Sequence, residues 1–267
     1  MQRVIYNGNE VIYNDIGEGD PIVLLHGYLE SSRVWFNFAR RLATRYRVVT
    51  IDFPGHGLSE THSEIHSMEM LAGVVLEVLN ARGIDKCLMV GHSLGGYVTL
   101  AFLEHHPERV AGYCLFHSHP HADSETTVKS RLREIRAINA GKKNLIYPEN
   151  ITRMFATENL DKFSSALTLL KDMASTAPGR GIVAILNGMI ARPSRAEVMA
   201  NTPIPCLWIL GTKDQYIDHN AVTRGLSLPS TTRIVMLEKS GHLGFIEQED
   251  ESINQLQAFA EQIFLHS

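Results

Sequence analysis

The pentapeptide Gly91-His92-Ser93-Leu94-Gly95 restricts this chain more than any other stretch. It follows the apolar run Cys87-Leu88-Met89-Val90 and precedes Gly96-Tyr97-Val98-Thr99-Leu100-Ala101-Phe102-Leu103, a segment that reads as a helix. Strand, tight turn and helix therefore meet at one serine. A serine at such an apex takes a strained backbone conformation, and only small flanking residues let the strand pass straight into the helix. The strain is expected to lift the Ser93 hydroxyl out of the fold. The first turn of the helix then offers unpaired N–H groups and the positive end of its dipole to negative charge developing beside that oxygen.

An alcohol is a weak nucleophile at neutral pH until an imidazole removes its proton and a carboxylate orients the imidazole. Both partner types occur downstream. Pro205-Cys206-Leu207-Trp208-Ile209-Leu210-Gly211 reads as a buried strand, followed at once by Thr212-Lys213-Asp214. Thr232-Arg233-Ile234-Val235-Met236-Leu237 reads as the next strand, and Glu238-Lys239-Ser240-Gly241-His242 as the loop after it. Asp218 competes for the acid role, but Asp214 follows its strand end more closely. The order Ser93, Asp214, His242 is nucleophile, acid, base, with each group just past the end of a strand.

With these motifs in place, the chain resembles the α/β-hydrolase fold superfamily, in the serine esterase or lipase-like form with a single domain and a helical cap, over nearly all of its 267 residues. Pro21-Ile22-Val23-Leu24-Leu25-His26-Gly27-Tyr28 resembles the family's strand ending in His-Gly, and Gly211-Thr212-Lys213-Asp214 its G-x-x-D turn. Asp52-Phe53-Pro54-Gly55-His56-Gly57-Leu58-Ser59 resembles its D-x-P-G-x-G-x-S loop, a structural signature. The resemblance implies an oxyanion hole made by the backbone N–H groups of Tyr28 and Leu94. A serine at the elbow argues against haloalkane dehalogenase chemistry, for which the family uses aspartate.

The fold class expected is α/β, a mostly parallel, doubly wound sheet with a helical cap insertion. Val4 to Tyr6 and Val11 to Asp15 read as a leading hairpin turned by Asn7-Gly8-Asn9. Parallel strands are expected at Ile22 to Leu25, Val48 to Ile51, Cys87 to Val90, Ala111 to Phe116, Cys206 to Leu210 and Arg233 to Leu237. Helical patterns at Trp35 to Tyr46, Met68 to Arg82 and Leu94 to His106 alternate with them. That alternation stops at residues 119–202, which carry helical patterns and no strand. The expected division is a hydrolase core at 1–118 and 203–267 with a cap at 119–202.

In the resembling family the equivalent stretch covers the active site and lines the substrate pocket. Leu29, His117, Met154, Phe155, Phe163, Met189 and Phe245 are the candidate substrate-binding residues. His117-Ser118-His119-Pro120-His121 alternates like a metal site, yet same-face residues on a strand step by about 7 Å, too far for one tetrahedral ion. No metal is expected. His92 is read as a packing or hydrogen-bonding residue and His26 as a brace for the oxyanion loop.

A net charge of -4 with no lysine- or arginine-rich block argues against nucleic acid. No apolar run approaches the roughly 20 residues of a membrane span, no signal peptide is read at Met1 to Tyr6, and a cytoplasmic location is expected. Cys87, Cys114 and Cys206 each fall in an apolar strand-like run, as buried free thiols do. The activity expected is hydrolysis of a small-molecule carboxylic ester through an acyl-enzyme, with no cofactor. Enol-lactonase and carbon-carbon bond hydrolase chemistry use the same three groups, and a receptor that retains them is an alternative of another class. An acidic substrate would call on Arg153, Arg180, Arg192 or Arg195, and an edge strand or the cap face could support a homodimer.

Overall fold

Eight strands build one sheet in the order β1-β2-β4-β3-β5-β6-β7-β8. The computed structural model describes residues 1–265. The strands are β1 (Gln2–Tyr6), β2 (Asn9–Ile16), β3 (Pro21–Leu25), β4 (Arg47–Ile51), β5 (Cys87–His92), β6 (Val110–Phe116), β7 (Cys206–Gly211) and β8 (Thr232–Leu237). The leading hairpin pairs antiparallel and joins β4 antiparallel, while every pairing from β4 through β8 is parallel. Asn7 and Gly8 both take positive φ, the chemistry a two-residue hairpin turn demands.

The helices are α1 (Phe36–Leu42), α2 (Met68–Ala81), α3 (Leu94–His105), α4 (Glu125–Asn139), α5 (Lys143–Thr152), α6 (Ser164–Thr176), α7 (Gly179–Ala191), α8 (Ala196–Asn201), α9 (His219–Thr223), α10 (Gly244–Glu247) and α11 (Glu249–Phe264). The first is shorter than its sequence pattern suggests, because Ser32–Trp35 forms a 3-10 turn capped by the Ser31 hydroxyl before α1 begins. Five helices, α4 to α8, fill the stretch between β6 and β7.

Strand β5 lies between β3 and β6, and all six of its residues are buried. A strand covered on both faces has no polar side to spare, which is why Cys87 to Val90 is a continuous apolar run rather than an alternating one. Fully burying a side chain such as Leu88 contributes about 1.5–3 kcal/mol, so this strand is a rigid foundation for whatever follows it. All three cysteines are buried and free. No helix among the described residues is long and apolar enough to cross a membrane.

Candidate active site

The end of β5 turns into α3 at Ser93, whose φ of 49° and ψ of -111° lie outside the ordinary regions for a side-chain-bearing residue. The turn is held from several directions. Ser93 N–H donates to the Phe116 carbonyl at 3.0 Å, and the Ser118 hydroxyl donates to the Ser93 carbonyl at 2.7 Å. A Cβ at Gly91 would sit 2.3 Å from the Gly95 carbonyl oxygen, and one at Gly95 2.3 Å from that of Leu25. Both positions are therefore closed to any residue but glycine.

Asp214 follows β7 and His242 follows β8, and the two meet: His242 Nδ1 lies 2.7 Å from Asp214 Oδ2. The other carboxylate oxygen accepts from Tyr216 N–H at 2.8 Å and Ile217 N–H at 3.0 Å. Burial pushes the Asp214 carboxyl up, but the His242 charge and hydrogen bond, with the nearby His117 ring, outweigh it and hold it well below the usual carboxylate range. Burial likewise lowers His242, and the neighbouring Asp214 carboxylate more than reverses this, raising it above an ordinary imidazole. Asp218 is occupied elsewhere, capping α9 through Asn220 N–H and Ala221 N–H.

Ser93 and His242 line one cavity of about 670 Å³, a size suited to a small molecule. Among the described residues no hydrogen bond joins the Ser93 hydroxyl to the His242 ring. A larger groove of about 1060 Å³ lies elsewhere, against Met1, Ile16, Phe36 and Leu58, and Ser93, Asp214 and His242 do not line it.

Tyr28 lies in the loop after β3 and lines the same cavity, while Leu94 opens α3, so that its N–H is one of the donors without an intrahelical partner. The loop is braced from behind. Gly27 N–H donates to Glu30 Oε2 at 2.6 Å, Glu30 Oε2 lies 3.0 Å from His92 Nδ1, and His92 Nε2 donates to the His242 carbonyl at 2.8 Å. Burial raises Glu30, yet the His92 interaction and the Gly27 N–H bring it below its ordinary value. His26 accepts from Phe53 N–H at Nε2 and so donates from Nδ1 to the Gly27 carbonyl.

Of the expected substrate-binding residues, Leu29, Met154 and Met189 line the cavity and four do not. His117, with a φ of 46°, is fully buried beside Asp214, and its Nε2 accepts from Gly244 N–H at 3.0 Å. The ring proton is then on Nδ1, 3.5 Å from Asp214 Oδ2. Phe245 stacks on Trp35 with ring centroids 4.2 Å apart, inside the core. Phe155 is also fully buried, its carbonyl accepting from Gln215, and Phe163 packs partly buried under the Lys162 ammonium. One side of the cavity is polar, built by Thr127, Ser130, Arg131 and Glu134 of α4 together with His119 and His121. Of the four arginines named above, Arg153 lines the cavity. Arg180 bonds the Thr61 carbonyl, Arg192 pairs with Asp123 and Arg195 with Glu69 and Glu104.

Glu247 and Glu30 carry no motif and were invisible to sequence reasoning. Glu247 accepts from Gly241 N–H at 2.9 Å and Ala156 N–H at 2.8 Å, and His242 N–H donates to the Met154 carbonyl at 2.7 Å. The loop carrying His242 is thus fastened to the insertion on one side and to α10 on the other.

This arrangement of strand order, elbow and strand-end loops is that of the α/β-hydrolase fold. A family model for the alpha/beta hydrolase fold matches residues 20–135, which include the elbow and end before Asp214 and His242. The dihydrolipoyllysine-residue acetyltransferase component of an acetoin cleaving system from Pseudomonas putida is 26% identical over 90% of this chain, and the chain spans 63% of that relative. A pimeloyl-[acyl-carrier protein] methyl ester esterase from Aeromonas hydrophila is 26% identical over 91% of this chain and 96% of its own length. The solved structure of a thermophilic esterase from Thermogutta terrifontis, with malate bound, superposes with a TM-score of 0.93 at 24% identity, covering 98% of this chain and 99% of that one. The chain has the α/β-hydrolase fold.

Proposed function

We propose that this protein is a serine hydrolase that cleaves carboxylic esters of small, polar molecules by way of an acyl-enzyme. The observation that carries the reading is one cavity lined by both a strained elbow serine and an imidazole whose far nitrogen is 2.7 Å from a buried carboxylate. In this reading His242 takes the Ser93 proton as the oxygen attacks the ester carbonyl. The N–H groups of Tyr28 and Leu94 receive the developing oxyanion, and a single good donor of this kind is worth about 3 kcal/mol of barrier. The alcohol departs with the proton that His242 returns. His242 then activates a water, which releases the acid and restores Ser93.

Asp214 holds the ring with Nδ1 protonated, so that Nε2 is the basic nitrogen throughout. No cofactor is needed for any of these steps. Residues 119–202 act as the cap over a core of 1–118 and 203–267, and the polar face of α4 sets the chemical character of the substrates. Three buried free thiols fit a reducing compartment, the cytoplasm.

The test is turnover of p-nitrophenyl acetate and butyrate, followed by a lactone panel, by the wild type and by Ser93→Ala. Steady hydrolysis that disappears in the variant is the expected result. A protein that cleaves none of these compounds refutes the reading, and a burst without steady turnover points to a receptor.

A further inference from the structure

We infer that Tyr97 is a specificity-determining donor, whose hydroxyl, held by His119, hydrogen-bonds an acceptor oxygen on the substrate away from the scissile ester. The inference rests on the hydrolase reading and narrows it to esters with a second acceptor oxygen, a carboxylate before a ketone.

Tyr97 lies four residues after Ser93 on α3, so it shares a helix face with the elbow, one turn further along. Only 7% exposed, it lines the same cavity as Ser93 and His242. Its oxygen lies 3.2 Å from His119 Nε2. The direction of that bond follows from the other side of the imidazole: His121 N–H donates to His119 Nδ1 at 3.2 Å, so Nδ1 carries a lone pair and the ring proton is on Nε2. His119 therefore donates and the Tyr97 oxygen accepts. A phenol has a single proton, and with its oxygen accepting from His119 that proton is directed elsewhere. No acceptor among the described residues takes it.

The ring is held in place as well. The Arg192 guanidinium carbon sits 3.8 Å over the Tyr97 ring centre, and Arg192 is itself anchored at 2.7 Å to Asp123 and at 2.8 Å to the Met189 carbonyl. Arg131 also spends its charge on Asp123, at 2.6 Å. Two guanidinium groups thus share one carboxylate behind the phenol, and the surplus positive charge favours an anionic acceptor over a neutral one. The remaining carboxylate on this cavity, Glu134, is engaged by the Tyr28 hydroxyl at 2.7 Å and by the Asn150 amide at 3.3 Å.

The experiment compares kcat/KM for length-matched esters: methyl pentanoate, methyl 4-oxopentanoate and monomethyl succinate for the acyl side, and butyl acetate with 3-oxobutyl acetate for the alcohol side. The wild type is expected to favour the oxygen-bearing member of at least one series by about tenfold, with succinate ahead of the ketone if the acyl side is the one read. Tyr97→Phe is expected to bring that ratio close to one. A ratio that Tyr97→Phe leaves unchanged, or no preference in either series, overturns the inference. Calorimetric affinities for the same esters in Ser93→Ala, with and without Tyr97→Phe, read the ratio without turnover. A preference that appears there and vanishes with Tyr97→Phe upholds the donor even if the wild type hydrolyses nothing, a result that would defeat the hydrolase reading alone.

Discussion

The two walls of the cavity are made on opposite terms. On the sheet side, Asp214 and His242 have side chains almost wholly buried, and the carboxylate's two oxygens are both occupied by N–H donors from the loop or the imidazole. On the side of the insertion, Thr127 and Ser130 of α4 are partly or fully open to solvent, and their face of the helix meets the cavity rather than a core. The first wall cannot lose a partner without leaving a buried charge uncompensated, whereas the second can change a residue and let water take the vacated place. On the proposed reading the chemistry is confined to the rigid wall, and the face of α4 is the part of the cavity that tolerates change, while Tyr97 of α3 is a buried specificity position beside the elbow.

The largest break in that comparison comes from Asp214→Asn. The amide donates where the carboxylate accepts, so the imidazole is held in the wrong tautomer. Turnover is expected to fall by about 10⁴ while the thermal unfolding midpoint moves only slightly. Asp218→Asn, which touches only the α9 cap, serves as the control and should leave turnover within a fewfold of wild type. The opposite pattern would move the acid from 214 to 218.

A finer test concerns His117, which presents Nδ1–H to Asp214 and Nε2 to Gly244 N–H. Because His242 is raised above an ordinary imidazole and must be neutral to act as a base, kcat/KM should rise with pH through an apparent pKa above about 6.5. Gln at 117 can still accept from Gly244 N–H but gives up the donor to Asp214. The carboxylate then exerts more of its charge on His242, so the acid limb should move to higher pH, by a few tenths of a unit for a contact worth under about 1 kcal/mol. Asn at 117 keeps a donor at the Nδ1 position and should leave the limb where it is. Equal shifts in both variants would mean that His117 is packing alone. On the other wall, Ser130→Ala should alter KM by less than about threefold and stability by less than about 0.5 kcal/mol, as expected of an exposed position away from any buried network. A loss of kcat there would contradict the division of labour.

The sheet was legible because its physics leaves few choices: a strand buried on both faces must be apolar along its length, and a strand that turns straight into a helix must be flanked by glycine. Cys87 to Val90 and Gly91 to Gly95 satisfy both demands, and the spacing of Asp214 and His242 after their strands follows from the same architecture. The insertion was not legible in the same way. Its polar helix face reads as a solvent face, since Thr127, Ser130 and Glu134 carry no mark that distinguishes a wet cavity from bulk water. Apolar residues expected in the pocket, Phe155 of the insertion and Phe245 of the core among them, are drawn into the core by the same hydrophobic effect that made them look like pocket residues. His117 follows β6 as a pocket residue would, yet its ring lies buried beside Asp214 on a backbone of positive φ that the residue type does not announce. Buried carboxylates such as Glu30 and Glu247 tie a nearby loop N–H to a partner far away in the sequence, His92 for Glu30 and Ala156 N–H for Glu247, a role that residue type alone does not announce.

The central claim is that Ser93 is made nucleophilic by His242, and a fluorophosphonate reads this directly because it labels only activated serines. Intact-mass and peptide mapping of the treated wild type should show one adduct, on Ser93, with labelling slowed by orders of magnitude in His242→Ala. Absence of the adduct, its location on another residue, or undiminished labelling in His242→Ala would contradict the account.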